Sequence, residues 1–200
     1  MRFLPVFLDR AAGVFILVGV GEAALGKLRL LRAAGAHVRW FPGKADIAEE
    51  VLTLPAQGRL EISIGDPRKA DLSDVVAIVS AAGETIDAQI ADRARRRRIP
   101  VNIVDRPELS TFIFPAIVDR GEVVVAIGTG GASPVLARRL REMIEAWLPA
   151  RIGDLAELIG RHRSRFAAAS PRVLSPRRFW AQSPTMADAV SLGSSSTRSS

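Results

Sequence analysis

The stretch VFILVGVGEAA occupies residues 14–24 and decides how the rest of the chain is interpreted. Its first five residues are β-branched, aliphatic or aromatic, which is typical of a buried parallel strand. A glycine turn follows, and apolar residues then recur at helical spacing at Ala24, Leu28 and Leu31. We therefore expect a strand, a tight turn and a helix in direct succession.

The turn has the spacing G-x-G-x-x-A, formed by Gly19, Gly21 and Ala24. In dinucleotide-binding folds the first glycine permits the tight turn, and the second lets the backbone approach a pyrophosphate. The third small residue lets the helix and the strand pack closely. The helix then directs its positive N-terminal end at the phosphates. The pattern predicts a dinucleotide site, and a plain strand-to-helix turn is the alternative.

Composition narrows the class of protein. A length of 200 residues with 48% hydrophobic content predicts one packed domain, or one with a small appendage. The lack of cysteine excludes disulfides, thiolate metal sites and cysteine nucleophiles. The first residues become charged too soon for a secretory signal, and no apolar run approaches the ~20 residues of a membrane span. We therefore expect a cytoplasmic protein with no membrane partner.

The chain is basic, with 28 Lys and Arg residues against 21 Asp and Glu residues and a net charge of +7. A basic surface attracts polyanions, such as nucleic acid or an acidic small molecule. A solvated arginine-rich surface is the alternative. The arginine run at residues 95–98 is expected to close a helix, where cations suit the negative end of the helix dipole, rather than to bind a ligand.

The remaining pattern predicts a parallel α/β sheet followed by a hairpin and helices. Strands are expected at residues 38–41, 60–64, 75–80 and 101–104, with a short extra strand at 4–8, and helices at 22–34, 46–51 and 84–97. Residues 111–118 and 122–127 predict a hairpin, and Ser133 and Pro134 then begin a helix. Further helices are expected at 152–166 and 177–181, and the small polar residues 183–200 are expected to be disordered.

Three groups of residues follow predicted strands at positions where a ligand could bind. Asp105 directly follows the 101–104 strand, at the edge where open α/β sheets bind ligands, although a turn before Pro107 would also use an aspartate. Lys44 follows the second strand and suits a phosphate or is simply solvated. The glycine-rich loop at residues 128–132 precedes a helix, so it either holds an anion or only connects the hairpin to that helix.

Several blocks of the sequence resemble the N-terminal half of siroheme synthase. They are LPVFLD at 4–9, VGVGEAA at 18–24 with Lys27, VNIVD at 101–105, FIFPAIVDR at 112–120 and GGASPVLAR at 130–138. The resemblance runs from about residue 4 to residue 180, where RRFW at 177–180 also fits, and it leaves out the methyltransferase half of the fused enzyme. The chain is therefore similar to stand-alone precorrin-2 dehydrogenases and sirohydrochlorin ferrochelatases.

The resemblance implies an α/β fold, with a Rossmann-type parallel sheet, a β-hairpin and helix dimerisation region, and a small helical C-terminal domain. The implied boundaries are 1–112 for the NAD-binding domain, 113–149 for the dimerisation region, 150–182 for the helical domain and 183–200 for a disordered tail. A homodimer is implied as the assembly that builds the active sites.

The resemblance also implies a reaction. NAD⁺ takes a hydride equivalent from precorrin-2 to give sirohydrochlorin, and ferrous iron is then inserted. Asp105 matches the family's catalytic aspartate, a general base that also receives pyrrole N–H protons. The cofactor contacts fall on Gly19, Gly21, Glu22, Ala23, Gly43 and Lys44, and the tetrapyrrole contacts on Thr129, Gly130, Gly131 and Ser133. No resident metal site is expected, and His37 and His162 are interpreted as structural or surface residues.

A tetrapyrrole that carries many carboxylates gives the arginine excess a purpose, because arginine forks pair well with carboxylates. Two other hypotheses stay open on sequence alone. The first is a non-catalytic dinucleotide-sensing regulatory module. The second is a basic nucleic-acid-binding protein, which lacks a recognisable motif, so no nucleic-acid partner is expected.

Overall fold

The computed structural model describes residues 2–45, 47 and 58–169, with residues 162–169 described by their backbone. The helices predicted at 46–51 and 177–181 and the tail predicted at 183–200 lie outside the described residues. By their contacts, the described residues form two compact units. The first unit runs to Phe114 and includes Gly130–Ala132, and the second contains Pro115–Thr129 and the residues from Ser133 onward.

The first unit is built on a parallel sheet. Its strands are β1 (Val14–Gly19), β2 (His37–Phe41), β3 (Arg59–Ile62), β4 (Val75–Ala81) and β5 (Val101–Ile103). Over the described residues these five parallel strands have the order β3-β2-β1-β4-β5. Successive strands are added on one side of β1 as far as β3 and on its other side from β4, so the topological switch point lies between β1 and β4. The predicted parallel α/β sheet is confirmed, and ligands are expected at that switch point, beyond the carboxyl ends of the strands.

Helices cover both faces of this sheet. Helix α1 (Gly21–Ala33) links β1 to β2, and helix α2 (Glu84–Arg96) links β4 to β5. Phe15 and Leu17 belong to the buried cluster that contains the α1 residue Leu28, whereas Ile16 and Val18 belong to the cluster that contains the α2 residue Ile90. Successive β1 side chains thus alternate between two apolar layers, which explains why β1 is apolar throughout.

The helices of the first unit end as the sequence predicts. Gly35 follows α1 with φ of 73°, a left-handed conformation that favours glycine. At the end of α2, Arg96 pairs with Asp92 at 2.7 Å, and an Arg95 nitrogen donates to the Glu108 carbonyl oxygen at 3.1 Å. The arginine run therefore closes the helix and anchors it to the following loop.

The second unit begins with an antiparallel hairpin formed by β6 (Ala116–Arg120) and β7 (Val123–Ile127). Helix α3 (Pro134–Trp147) and helix α4 (Ile152–Ala169) follow. The Glu145 carboxylate of α3 accepts from Arg141 at 2.7 Å and from Arg120 of β6 at 3.4 Å. The Ser133 and Pro134 start of α3 is confirmed, because the Ser133 hydroxyl accepts from the Leu136 amide at 3.1 Å.

Two predicted strands are corrected by the structure. Residues 4–8 form no strand: within the described part of the chain they have no ladder partner, and Leu4, Val6 and Phe7 stay exposed. The hairpin begins at Ala116 rather than at residue 111, because Thr111 serves β5 instead. Its amide donates to the Val101 carbonyl oxygen at 2.7 Å and its hydroxyl accepts from the Val101 amide at 2.8 Å. These contacts cover the outer edge of β5, which would otherwise expose unpaired backbone groups.

No helix within the described ranges combines the length and the apolar character that a membrane crossing requires.

Candidate active site

The glycine turn is dictated by the neighbouring strand. Gly19 ends β1 with φ of 106°, and a Cβ atom added there would overlap the carbonyl oxygen of Ala81 in β4. Gly21 begins α1 with φ of 79°, and among the described residues no atom lies within 4 Å of an added Cβ. The first glycine is therefore needed for packing within the sheet, and the second leaves open space in front of the helix.

The N-terminus of α1 is left uncapped by side chains. Val20 occupies the capping position in an extended conformation, and no side chain in the described part of the molecule bonds the first-turn amides. These amides have no partner within a helix, and they carry the positive end of its dipole. The open space at Gly21 and the first-turn amides that lack a side-chain partner together fit a pyrophosphate group.

Glu22 and Ala23 lie exposed in that first turn. The Glu22 carboxylate pairs at 2.7 Å with Arg29, which lies about two turns further along the same face of the helix. The pair balances the negative charge beside the predicted phosphate position, so it is the backbone of Glu22, not its carboxylate, that suits an anion.

A tryptophan supports the turn from inside the sheet, and sequence reasoning missed it. Trp40 of β2 is completely buried, and its indole N–H donates to the Gly19 carbonyl oxygen at 2.8 Å. A tryptophan in a strand was the available signal, because a buried indole N–H requires an acceptor. Trp40 fixes the turn in the position that the strand ladder sets.

Gly43 and Lys44 reach the same edge of the sheet as the glycine turn. Val18 lies opposite Phe41 in the β1–β2 register, so Pro42 is level with Gly19. Gly43 follows with φ of 72° and with no described atom within 4 Å of an added Cβ, and Lys44 is exposed. The structure thus brings these two predicted cofactor residues to the carboxyl edge where Gly19 and Gly21 lie.

Asp105 stands at that edge too, two strands from Gly19. Gly19 pairs with Ala81 and Ser80 pairs with Ile103, so Asp105 lies just above the level of the turn. Strand spacing puts β1 and β5 about 10 Å apart. Asp105 is exposed, and in the described part of the chain its carboxylate makes no hydrogen bond or ion pair.

The backbone at Asp105 is strained. Its φ is 58°, and the other non-glycine residue described with a positive φ, Arg98, is explained by its place after α2. A left-handed aspartate costs on the order of 1–3 kcal/mol and persists where the surroundings demand it, often at functional sites. The predicted turn before Pro107 is present, and the strained residue in it leaves its carboxylate free.

Lys27 of α1 is a charged group on which the Asp105 carboxylate acts. It is half-buried, and its ammonium lies 4.5 Å from the centre of the Phe114 ring. Burial lowers the pKa of Lys27, and the Asp105 carboxylate partly opposes that shift. The sequence pointed to Lys27 only as part of a resembling block, because nothing in its spacing reveals the aromatic ring 87 positions later.

A buried carboxylate shapes the loop on the other side of the switch point. Asp87 of α2 accepts from the Ser80 hydroxyl at 2.5 Å and from the amides of Ala82 and Gly83 at 3.0 and 3.2 Å. This set of bonds fixes the loop that follows β4, next to the glycine turn. Asp87 is fully engaged in this structural role.

The polar side chains of the second glycine loop form hydrogen bonds within that loop and with the helix that follows it. The Thr129 hydroxyl donates to the Ser133 carbonyl oxygen at 3.0 Å and accepts from the Ser133 amide at 3.2 Å, while the Ser133 hydroxyl caps α3. Gly130 and Gly131 have φ of 66° and 87°, and no described atom lies within 4 Å of an added Cβ at either. Thr129 and Ser133 belong to the second unit, whereas Gly130–Ala132 group with the first, which holds Gly19 and Asp105.

The described residues contain a further cavity and several acidic side chains, but these form no alternative centre. A cavity of about 430 Å³ lies beyond β2 and β3, with Arg39, Phe41, Ser63 and Lys69 among its lining residues. It lies away from Asp105, and its acidic lining residues, Asp66 and Asp71, are bonded to Arg68 and Ser73. In the described ranges, no group of three or more histidine or acidic side chains is arranged to hold a metal ion.

Comparison with known proteins identifies the family of this chain. The profile of a family of NAD(P)-binding proteins matches residues 6–116, more than half of the chain. The chain belongs to this NAD(P)-binding family. The profile of the central part of sirohaem biosynthesis proteins matches residues 120–146.

Curated relatives extend the match. Siroheme synthases from Pseudomonas entomophila and from Methylococcus capsulatus are 40% and 41% identical to this chain over 181 residues, which is 90% of it. The chain spans about two fifths of the length of these relatives, 39% and 38%. A solved structure of SirC, a precorrin-2 dehydrogenase, matches with a TM-score of 0.63 and 22% identity, over 88% of this chain and 86% of that one.

These matches confirm three predictions. The resemblance to siroheme synthase is confirmed by the profile and by the curated relatives. The Rossmann-type fold is confirmed by the strand order and by the structural match. The prediction of NAD as the cofactor is confirmed by the NAD(P)-binding family profile, which covers residues 6–116.

Proposed function

We propose that this protein is an NAD⁺-dependent precorrin-2 dehydrogenase of sirohaem biosynthesis, and that it also inserts ferrous iron into the sirohydrochlorin it forms. The names of the related siroheme synthases and of SirC support the pathway and the oxidation. The basic character of the chain suits a substrate with many carboxylates.

The observation that carries the proposal is the free carboxylate of Asp105. It is exposed, held in a strained conformation, and placed at the edge of the sheet that carries the cofactor turn. A group that takes a proton from the substrate must lie beside the hydride acceptor, and it must not already be engaged in hydrogen bonds or ion pairs within the protein. In the first unit, the Asp87 carboxylate is engaged in hydrogen bonds and the Asp105 carboxylate is not.

The chain's own residues then have separate tasks. The open space at Gly21 and the uncapped amides of α1 bind the pyrophosphate, and Gly43 and Lys44 hold the adenosine half. Bound NAD⁺ supplies the hydride acceptor. Asp105 removes the substrate proton that leaves as the hydride is transferred and then releases it to solvent. The ionised carboxylate next receives the two pyrrole N–H protons that ferrous iron displaces, one at a time, and passes each to solvent.

The second glycine loop is proposed to contact the tetrapyrrole through its backbone. The hydroxyls of Thr129 and Ser133 are engaged within the loop, whereas the amides of Gly130 and Gly131 make no hydrogen bond to other described residues. Amides in left-handed glycine conformations suit carboxylates. Thr129 and Ser133 therefore act by shaping the loop.

A homodimer is proposed from the apolar face that α3 presents. Val135, Leu136, Met143 and Trp147 are exposed, and Trp147 is 67% exposed. Contiguous apolar surface of this kind marks a protein interface. We assign residues 1–112 to cofactor binding, 113–149 to dimerisation and 150–182 to the helical C-terminal domain, and we place the protein in the cytoplasm, where precorrin-2 and NAD⁺ are available.

The test is anaerobic incubation of the protein with precorrin-2 and NAD⁺, followed by Fe²⁺ or Co²⁺, with absorbance spectra recorded at each stage. We expect NADH and sirohydrochlorin first and the metallated product second. Asp105→Ala is expected to abolish oxidation while NAD⁺ still binds. Asp92→Ala, which removes an exposed carboxylate of α2, is the matched control and is expected to leave the rate unchanged.

Each outcome has a distinct meaning. NAD⁺ binding without any oxidation by the wild type would overturn the dehydrogenase proposal and leave a dinucleotide sensor. Oxidation without metal uptake would overturn the iron-insertion step alone. A normal rate in Asp105→Ala would remove Asp105 from the mechanism.

A further inference from the structure

The end of β2 presents a cation at the position where dinucleotide-binding folds usually present an acid. In such folds a carboxylate about 20 residues beyond the glycine turn hydrogen-bonds the ribose 2′-hydroxyl, and this group favours NAD⁺. Here β2 ends at Phe41, opposite Val18 of β1 and level with the start of the glycine turn. Pro42, Gly43 and Lys44 follow. The described residues at this point therefore include no carboxylate for the ribose.

The aromatic residues that end β2 are engaged within the sheet. The indole N–H of the completely buried Trp40 donates to the Gly19 carbonyl oxygen at 2.8 Å. Phe41 is buried in the layer that contains Ile90 of α2. Neither side chain offers a hydrogen bond to a ribose, so recognition of the ribose falls to the residues that follow.

Lys44 is the available cation directly after β2. It is exposed, and in the described part of the chain its ammonium has no hydrogen-bond or ion-pair partner. Arg39, in the middle of β2, is engaged instead: it donates to the Glu61 carboxylate at 3.2 Å and lies 3.6 Å from that of Asp74. Gly43, beside Lys44, has no described atom within 4 Å of an added Cβ. A free ammonium thus adjoins open space.

The carboxylates on β3 and directly after it are paired with cations. Glu61 lies 2.9 Å from Arg59 and 3.2 Å from Arg39. Asp66 lies 2.7 Å from Arg68. Pairing of this kind weakens the repulsion that an incoming phosphate meets, because each negative charge has a positive charge beside it.

We propose that the protein accepts NADP⁺ as well as NAD⁺, with the Lys44 ammonium pairing with the ribose 2′-phosphate. A phosphate monoester carries a charge of about −1.5 to −2 at neutral pH, and lysine binds phosphate as a point charge. The open space at Gly43 admits the additional group. This inference rests on the proposed dehydrogenase function, and the nicotinamide that accepts the hydride is the same in both nucleotides.

The first test measures binding to the full chain without any turnover. Isothermal titration calorimetry compares NAD⁺ with NADP⁺, and adenosine 5′-monophosphate with adenosine 2′,5′-bisphosphate. The two ligands of each pair differ only in the 2′-phosphate. We expect the wild type to bind NADP⁺ with a Kd no more than about tenfold above that for NAD⁺, which is a difference of about 1.4 kcal/mol. A larger preference for NAD⁺ would overturn the proposal.

Substitutions of Lys44 assign the phosphate to its side chain. Lys44→Met is expected to raise the ratio of the NADP⁺ Kd to the NAD⁺ Kd roughly tenfold, the effect of losing a hydrogen bond to a charged group. Lys44→Glu places like charges together and is expected to raise this ratio more than about a hundredfold. Binding of NAD⁺ by the same variants shows that they fold.

Lys69→Met is the matched control, at an exposed lysine in the loop between β3 and β4. We expect it to leave the ratio of the two Kd values unchanged. An unchanged ratio in Lys44→Met, or a raised ratio in Lys69→Met alone, would overturn the assignment to Lys44.

Asp46 supplies the opposite test. It is the acidic residue that comes next in the sequence after Lys44, and it lies outside the described residues. Asp46→Asn is expected to leave the ratio of the two Kd values unchanged. A lower ratio in this variant would show that an acid discriminates against the 2′-phosphate and would overturn the proposal.

The two proposals fail in different ways. If the wild type oxidises precorrin-2 with neither nucleotide, the proposed function fails whatever adenosine 2′,5′-bisphosphate binding shows. If it oxidises precorrin-2 with NAD⁺ and neither binds nor uses NADP⁺, the dehydrogenase stands and the role of Lys44 is wrong.

Discussion

Two glycine-rich loops in this molecule each lead into a helix, yet they use their backbone groups differently. At Gly19 and Gly21 the capping position is taken by Val20, and no described side chain bonds the first amides of α1. At the Thr129 loop, Ser133 caps α3 and the Thr129 hydroxyl closes the loop on itself. The first amides of α1 therefore have no side-chain partner, and we propose that they bind a ligand, whereas α3 is capped by its own Ser133.

The difference shows how a glycine spacing acquires its meaning. Both loops contain two glycines with positive φ before a helix, so spacing alone does not separate them. What separates them is the surroundings. Gly19 is pressed against β4 and held by Trp40, whereas Gly130 and Gly131 have no described neighbour within 4 Å of an added Cβ.

The largest expected effect comes from Gly19→Ala. The new methyl overlaps the Ala81 carbonyl and φ is 106°, so we expect a loss of roughly 2–5 kcal/mol in the free energy of unfolding, by urea denaturation. Gly26→Ala is the matched control. Gly26 lies inside α1 with no described atom within 4 Å of an added Cβ, so this change is expected to stabilise by about 0.5–1 kcal/mol. Equal effects of the two substitutions would refute the packing argument.

Trp40→Phe tests the support beneath the first loop. Phenylalanine lacks the N–H that reaches the Gly19 carbonyl oxygen, and leaving a buried acceptor without its donor costs about 1–3 kcal/mol, with a further cost for lost volume. We expect a lower urea midpoint and weaker NAD⁺ binding together. A variant as stable as the wild type would mean that Trp40 only fills space.

A second pair of variants asks which loop holds the cofactor. Gly21→Ala places a methyl group in the open space before α1, and we expect the Kd for NAD⁺ to rise about tenfold, which is about 1.4 kcal/mol. Gly131→Ala makes the same change in the second loop and is expected to leave the Kd unchanged. Isothermal titration calorimetry measures both, and the reverse pattern would exchange the roles of the loops.

The smallest effect is expected from Ser133→Ala. It removes the cap of α3, which lowers the free energy of unfolding by about 1 kcal/mol. NAD⁺ affinity is expected to stay the same, since the cap acts within the second unit. A large loss of NAD⁺ affinity with normal stability would show that Ser133 reaches the cofactor directly.

The sequence predicted much of the fold because its patterns are local. The apolar run of β1, the glycines around α1 and the Ser133-Pro134 start of α3 each act on their neighbours in the chain. The strand predicted at residues 4–8 was wrong, since a short apolar run indicates a strand but does not supply a partner strand. The hairpin begins later in the chain than predicted because Thr111 forms hydrogen bonds with Val101 of β5, a residue ten positions away that a local pattern does not reveal.

The candidate site was predictable as far as it depends on single strands. Asp105 was predicted because it directly follows the strand predicted at residues 101–104, and the ends of parallel strands meet at one edge. Gly43 was predicted from the family resemblance, and the structure places it near that edge, two residues after β2. Trp40, Asp87 and Lys27 were missed as supporting residues because their roles depend on partners in other elements. The partners are the Gly19 carbonyl, the Ala82 and Gly83 amides and the Phe114 ring.

The central claim is that a free carboxylate at the cofactor edge removes the substrate proton. A single anaerobic turnover of saturating precorrin-2 with prebound NAD⁺, followed by NADH absorbance, tests it most directly. We predict stoichiometric NADH from the wild type and none on that timescale from Asp105→Asn, with equal NAD⁺ affinity. NADH formation by Asp105→Asn at the wild-type rate would contradict it.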